Sequence, residues 1–160
     1  MRVKDIVVED FCNYKIPSMF IASTKCDFKC CTEAKLDNSV CQNSPTASLP
    51  VKDIDDEYIY RSFADNDITK AVVIGGLEPM LQIDEVIHLL SVFREHGDNH
   101  DFVIYTGYYP NEIREELNRL SEYDNVVVKF GRYIPDKPPC FDDVLGVTLA
   151  SNNQFALRIS

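Results

Sequence analysis

The feature that most constrains the fold is an alternation of strand-like and helix-like segments. Ala71-Val72-Val73-Ile74 is a β-branched run that ends at Gly75-Gly76, which reads as a strand closed by a turn. Asp84 to Glu95 follows as an amphipathic helix, with Val86, Ile87, Leu90 and Phe93 on its inner face and Asp84 as its N-cap. Phe102 to Tyr105 is the next strand, ending at Thr106-Gly107, and Asn111 to Tyr123 the next helix, with Ile113, Leu117 and Leu120 inward. Val126 to Val128 is a further strand. Earlier in the chain, Ile6 to Val8 reads as a short strand and Ser18 to Ser23 as a buried one. Asp53 to Ala64 has helical spacing at Ile54, Tyr58, Ile59 and Phe63, and Gln154 to Ile159 forms a last short strand.

Strands alternating with helices over short connections imply βαβ units and a mostly parallel sheet. The 160 residues are too few for a complete eight-stranded barrel, which takes about 250. The expected architecture is α/β: an open partial (β/α) barrel of mostly parallel strands or a doubly wound sheet, as one domain over residues 1–160. Either fold places ligands at the carboxyl ends of its strands. Three unusual segments lie just there. They are the cysteine-rich loop after the Ser18 strand, Gly75-Gly76-Leu77-Glu78-Pro79, and Thr106-Gly107-Tyr108.

Charge and apolar patterning narrow the function classes. The net charge of −10 repels nucleic acid and favours solubility. No apolar stretch approaches the roughly 18 residues of a membrane span. The start, Met1-Arg2-Val3-Lys4-Asp5, lacks the apolar core of a signal peptide, so a cytoplasmic location is expected.

Four of the six cysteines, Cys26, Cys30, Cys31 and Cys41, fall close together. Without a secretory signal, such clustering points to metal binding or chemistry rather than to a disulfide framework. Cys12 and Cys140 stand apart and read as small buried hydrophobes. Thiolates suit zinc or an iron–sulfur cluster, and ligand type alone leaves the two open. A structural zinc site needs four protein ligands. Cys31 is an awkward fourth, because neighbouring side chains of an extended chain point apart. Three cysteines leave a cubane cluster with one open iron, the mark of a reactive site. The histidines, His88, His96 and His100, form no ligand pattern.

Cys26-Asp27-Phe28-Lys29-Cys30 followed by Cys41-Gln42-Asn43 resembles the cluster loop of the radical S-adenosylmethionine (SAM) superfamily. More narrowly, it resembles the activating protein of anaerobic ribonucleoside-triphosphate reductase, a glycyl radical enzyme activase. The family's loop is compact and its last cysteine opens a Cys-x-Asn sequence; here a stretch within Thr32 to Val40 is inserted before that cysteine. Gly75-Gly76-Leu77-Glu78-Pro79 is similar to the family's Gly-Gly-Asp/Glu-Pro, with Leu77 added. Tyr105-Thr106-Gly107-Tyr108 is similar to its Trp/Tyr-Thr-Gly-Tyr. Gly131-Arg132-Tyr133 is similar to its Gly-Lys/Arg-Phe, with Phe130 where an aspartate is common. Ala150-Ser151-Asn152-Asn153-Gln154 resembles its Gly-Ser-x-Asn-Gln.

The resemblance runs from Ser18 to near the end of the chain, and it implies a [4Fe–4S] cluster on Cys26, Cys30 and Cys41. It implies SAM as co-substrate, cleaved reductively to methionine and a 5′-deoxyadenosyl radical. It further implies a glycyl radical enzyme large subunit as partner and a low-potential electron donor such as flavodoxin. Gly75, Gly76, Glu78, Thr106, Gly107 and Asn153 become the expected SAM-binding residues. Backbone at Gly75-Gly76 admits close approach of a ligand, and freed carbonyls there, or Glu78, suit an ammonium. Local readings compete: Glu78 as a helix N-terminal charge, Thr106-Gly107 as a plain turn, Asn153 and Gln154 as loop fillers. Lys129 and Arg132 read either as partners of a carboxylate or as solvated surface charge. The competing functions are a radical SAM enzyme with another substrate and a non-catalytic zinc or iron–sulfur binding module.

Overall fold

The computed structural model describes residues 1–160. In chain order its strands are β1 (Arg2–Val3), β2 (Asp5–Asp10), β3 (Ser18–Ala22), β4 (Lys52–Asp53), β5 (Ala71–Gly75), β6 (Asp101–Tyr105), β7 (Val126–Phe130), β8 (Cys140–Asp142), β9 (Val147–Leu149) and β10 (Phe155–Arg158). Its α-helices are α1 (Lys29–Ala34), α2 (Ser44–Ser48), α3 (Asp56–Ala64), α4 (Ile83–Glu95) and α5 (Arg114–Leu120). The central sheet has the order β10-β7-β6-β5-β3-β2. Strands β3, β5, β6 and β7 are parallel, and β2 and β10 close the two edges antiparallel. Of the expected open partial barrel, the structure bears out the mixed α/β class and the mostly parallel sheet.

The strands read as unbroken apolar runs because both faces of the sheet are covered. Val72, Ile74, Phe102, Ile104, Val126 and Val128 face one way and pack with Ile59 and Phe63 of α3, Leu89, Leu90 and Phe93 of α4, and Leu120 of α5. Val73, Val103 and Val127 face the other way and meet Tyr14, Leu145 and Leu149. The crossover helices thus cover one face, and a loop with the β8–β9 hairpin covers the other.

Several local expectations change. The helix expected from Asp53 starts at Asp56, because Lys52–Asp53 pairs with Arg2–Val3 and the Asp55 side chain caps the helix through Tyr58 N at 3.2 Å. Tyr58, one of the residues at helical spacing, is exposed, and Ile59 and Phe63 carry the buried face. Helix α4 begins one residue before Asp84, so Asp84 lies in the first turn and pairs with Arg119 instead of capping. The helix expected over residues 111–123 is divided into a 3-10 turn at Pro110–Glu112 and α5, with Ile113 outside helical geometry between them. Cys12, expected buried, is exposed, and Cys140 is half-buried.

Candidate metal centre

The carboxyl ends of the four parallel strands border one cleft of about 770 Å³. Segments after β3, β5, β6 and β7 all contribute, through Cys26, Gly76 and Glu78, Thr106 and Gly107, and Gly131 and Arg132. The parallel register dictates this convergence, since Ala22 stands beside Gly75 and Tyr105 beside Lys129. The expectation that the unusual segments share one sheet edge therefore holds for these residues.

The cysteine segment lines the same cleft. Cys30 and Cys31 lie in α1, where successive side chains diverge by about 100° rather than the 180° of a strand. Their sulfurs are 3.9 Å apart, so the extended-chain argument against Cys31 fails. A 3-10 turn at Asn38–Val40, started by the Asp37 side chain accepting from Ser39 N at 2.9 Å, returns the chain. Cys41 then joins Cys30 and Cys31, with all three sulfurs within 4.8 Å of one another. Cys26 borders the same cleft outside this close triangle, its Sγ accepting from Phe28 N at 3.3 Å. Convergent soft donors of this kind fit an iron–sulfur cluster.

Burial pushes the Cys26 thiol up to about 11. Burial, and then the neighbouring Cys31, pushes Cys30 up to about 12. Both therefore hold their protons near neutral pH without a metal, and ligation must release them.

Glu78 is buried and organises the wall of the cleft. Its Oε1 accepts from Met80 N at 3.2 Å and Thr106 Oγ1 at 2.7 Å, and its Oε2 accepts from Gly107 N at 2.8 Å. Burial raises its pKa, and these hydrogen bonds oppose that rise. The reading of Glu78 as a helix N-terminal charge accounts for the Met80 contact alone. The same carboxylate also ties the Gly75-Gly76 turn to the Thr106-Gly107 turn.

The two glycines play different parts. A side chain at Gly75 would meet Tyr105 Cβ at 3.0 Å, so close strand packing requires the glycine. The Gly75 carbonyl, expected to be free for a ligand, already accepts from Ser23 N, Ser23 Oγ and Leu77 N. Gly76 has a φ of +76°, borders the cleft and carries the left-handed turn. Asn153 donates to Tyr109 OH at 3.1 Å and to the Arg132 carbonyl at 2.7 Å, so it braces the loop behind the cleft.

Lys129 and Arg132 are not solvated surface charges. Arg132 donates to Glu33 of α1 at 2.6 Å and to Glu112 at 2.7 Å, and Lys29 of α1 also pairs with Glu112. Tyr108 OH donates to Asp27 at 2.6 Å. These polar contacts hold the cysteine segment against the sheet edge, and the buried Lys4 adds donations to the Ala47 and Leu49 carbonyls. Arg132 holds Glu112 down at about 2. Sequence reasoning missed Lys4 and Glu112, and it set Cys31 aside on an extended-chain argument that the helix removes. For Lys129 a signal existed: strand alternation puts it on the same face as the fully buried Val127.

Away from the cleft, His96 meets Glu57 and His100 meets Asp98. No helix is long and apolar enough to cross a membrane.

No curated protein and no solved structure matches the chain at a significant level. A family profile does: that of the 4Fe-4S single cluster domain matches residues 18–149. Because the match runs from the first residue of β3, through the cysteine segment, to the last residue of β9, the chain belongs to the 4Fe-4S single cluster domain family.

Proposed function

We propose that this chain is a radical SAM enzyme of the type that activates anaerobic ribonucleoside-triphosphate reductase. One observation carries the reading. The cysteines share a single cleft with the Gly76–Glu78 and Thr106–Gly107 turns, the segments whose motifs resemble that family. When bound, the cluster supplies one-electron chemistry to a sulfonium co-substrate.

The chain's own residues hold, orient and exclude. Cys26, Cys30 and Cys41 hold the cluster. Glu78 Oε2 has one protein donor, Gly107 N, and so retains capacity for the SAM ammonium. Gly76 lets the backbone approach the ligand, and Thr106 fixes the Glu78 carboxylate. The partner is a glycyl radical enzyme, and the electrons come from a low-potential donor of the flavodoxin kind.

A second reading of the ligand set has a specific observation behind it. Cys30, Cys31 and Cys41 form the close triangle, with Cys31 in place of Cys26. The two sets share Cys30 and Cys41. Of the two departures from the family motifs, the one at Phe130 speaks little for another substrate. Phe130 packs into the helical face of the core and does not line the cleft, whereas Leu77, though largely buried, does.

Anaerobic reconstitution, reduction and addition of SAM test the proposal. The expected product is 5′-deoxyadenosine; a loaded cluster that yields none overturns the reading. Cys41→Ala should abolish both iron retention and product. Cys31→Ala should leave most of both, and the opposite result for Cys26→Ala and Cys31→Ala selects the second ligand set. A glycyl radical signal in the large reductase, seen by electron paramagnetic resonance, tests the partner.

A further inference from the structure

Three cationic side chains border the cleft: Lys29, Lys129 and Arg132. Two are matched. Lys29 pairs with Glu112, and Arg132 pairs with Glu33 and Glu112. Lys129 is matched by no carboxylate, although its side chain lies in the sheet and only 7% of the residue is exposed. Its one hydrogen bond goes to the Gly131 carbonyl at 2.9 Å, leaving two of the three ammonium donors unspent. The carboxylates nearby are committed elsewhere, Asp27 to Tyr108 and Glu78 to Met80, Thr106 and Gly107.

The acceptor that aims Lys129 is itself fixed. Gly131 has a φ of +93°, and an added side chain there would meet the Asn153 carbonyl at 3.0 Å. The Gly131 carbonyl also accepts from Gln154 Nε2 at 3.2 Å. An ammonium buried without a counter-ion is costly, so its retention implies an anion in the cleft. Lys129 lines the same cleft as Glu78 and Cys30, and thiolates released by cluster ligation would supply that anion.

We propose that the Lys129 ammonium is the fixed counter-charge of the iron–sulfur cluster and raises its reduction potential. This rests on the cluster being held by the cleft cysteines, Cys30 among them. A [4Fe–4S]2+ core with three thiolates carries a net charge of −1. One electron from an external low-potential reductant takes it to −2, with no proton transferred. A nearby positive charge stabilises the −2 state more than the −1 state, which shifts the potential upward.

The test is a potentiometric titration of the assembled cluster, followed by electron paramagnetic resonance, with no SAM present. Wild type, Lys129→Met and Lys129→Arg are compared as full chains with matched iron content. Lys129→Met should lower the midpoint potential, by roughly tenfold in the one-electron equilibrium or about 59 mV. Lys129→Arg should stay near wild type. Should the Met variant take up no cluster, Lys129→Gln is titrated in its place with the same expectation. An unchanged midpoint in the uncharged variant overturns the inference, and weaker SAM binding by that variant in a separate equilibrium titration then assigns Lys129 to the ligand. A wild-type chain that takes up no cluster would break the cluster assignment itself, a failure distinct from either.

Discussion

The parallel sheet and the cysteine segment are held by different forces. The four parallel strands β3, β5, β6 and β7 are largely apolar and buried, and each is bonded to a neighbour on both sides. The cysteine segment, from Cys26 to Leu49, consists of short helices and turns in which Cys31 alone is buried. What fixes it is a set of polar contacts to the sheet edge: Tyr108 to Asp27, Arg132 to Glu33, Lys29 to Glu112, and Lys4 to two carbonyls of the α2 turn. The sheet is a scaffold that excludes water. The segment has little buried apolar surface of its own, and a cluster shared among its thiols would add rigidity that its packing does not supply.

Four experiments would break or sharpen that contrast. The largest effect belongs to the sheet. Phe102 is fully buried and stacks edge-on against Phe93 at 4.9 Å, so Phe102→Ala should cost about 3–5 kcal/mol. Denaturant unfolding should show the whole protein destabilised. A smaller effect should follow from Lys4→Met, which removes two charge-assisted hydrogen bonds of about 1.5–3 kcal/mol at most each. Hydrogen exchange should rise over residues 44–49 while the global midpoint moves less than in Phe102→Ala. An equal global loss would show that the two regions unfold as one.

Arg132→Gln should act more locally still. Its guanidinium joins α1 to the Pro110–Glu112 turn, and the partly exposed pairs are worth about 1 kcal/mol each. Exchange over residues 29–34 should accelerate with little change in global stability. The smallest effect is a pH dependence. Glu112 is held at about 2 in the fold, chiefly by Arg132, against an ordinary glutamate value near 4.3. A depressed carboxyl contributes stability that is fully present above the ordinary value and lost as pH falls towards the folded one. Pepsin cleavage within residues 29–49 should therefore accelerate as pH drops through that window. Glu112→Gln should remove most of the dependence; a variant with the wild-type profile would place the acid sensitivity elsewhere.

The strands of the central sheet were legible because each contains a short apolar run, whereas β1, β4, β8 and β9 were not, and the order of the special segments followed from the βαβ alternation. Element boundaries were less so. Asp84 has the chemistry of an N-cap, yet the chain enters α4 from the 3-10 turn at Pro79–Gln82, so the helix starts a residue earlier. Tyr58 has helical spacing, yet α3 turns it to solvent because Ile59 and Phe63 fill the space beneath.

In the candidate site, the clustered thiols were visible as possible ligands from residue type, and Glu78 and Gly76 as cleft residues from their place after β5. Local pattern alone therefore decided that this chain builds a mostly parallel sheet with thiols at one edge, because periodicity and turn chemistry are properties of neighbouring residues. It did not decide which thiols meet, since that depends on whether the segment between Cys30 and Cys41 is helical or extended. Nor did it decide which cations face the cleft unpaired. Arg132 and Lys129 lie three residues apart, yet only the packing of α1 and of the Pro110–Glu112 turn at the sheet edge gives Arg132 its carboxylates, Glu33 and Glu112, and leaves Lys129 without one. Pairing of charges from distant parts of a chain is a tertiary fact, and here it separates a structural clasp from a charge available to the cofactor.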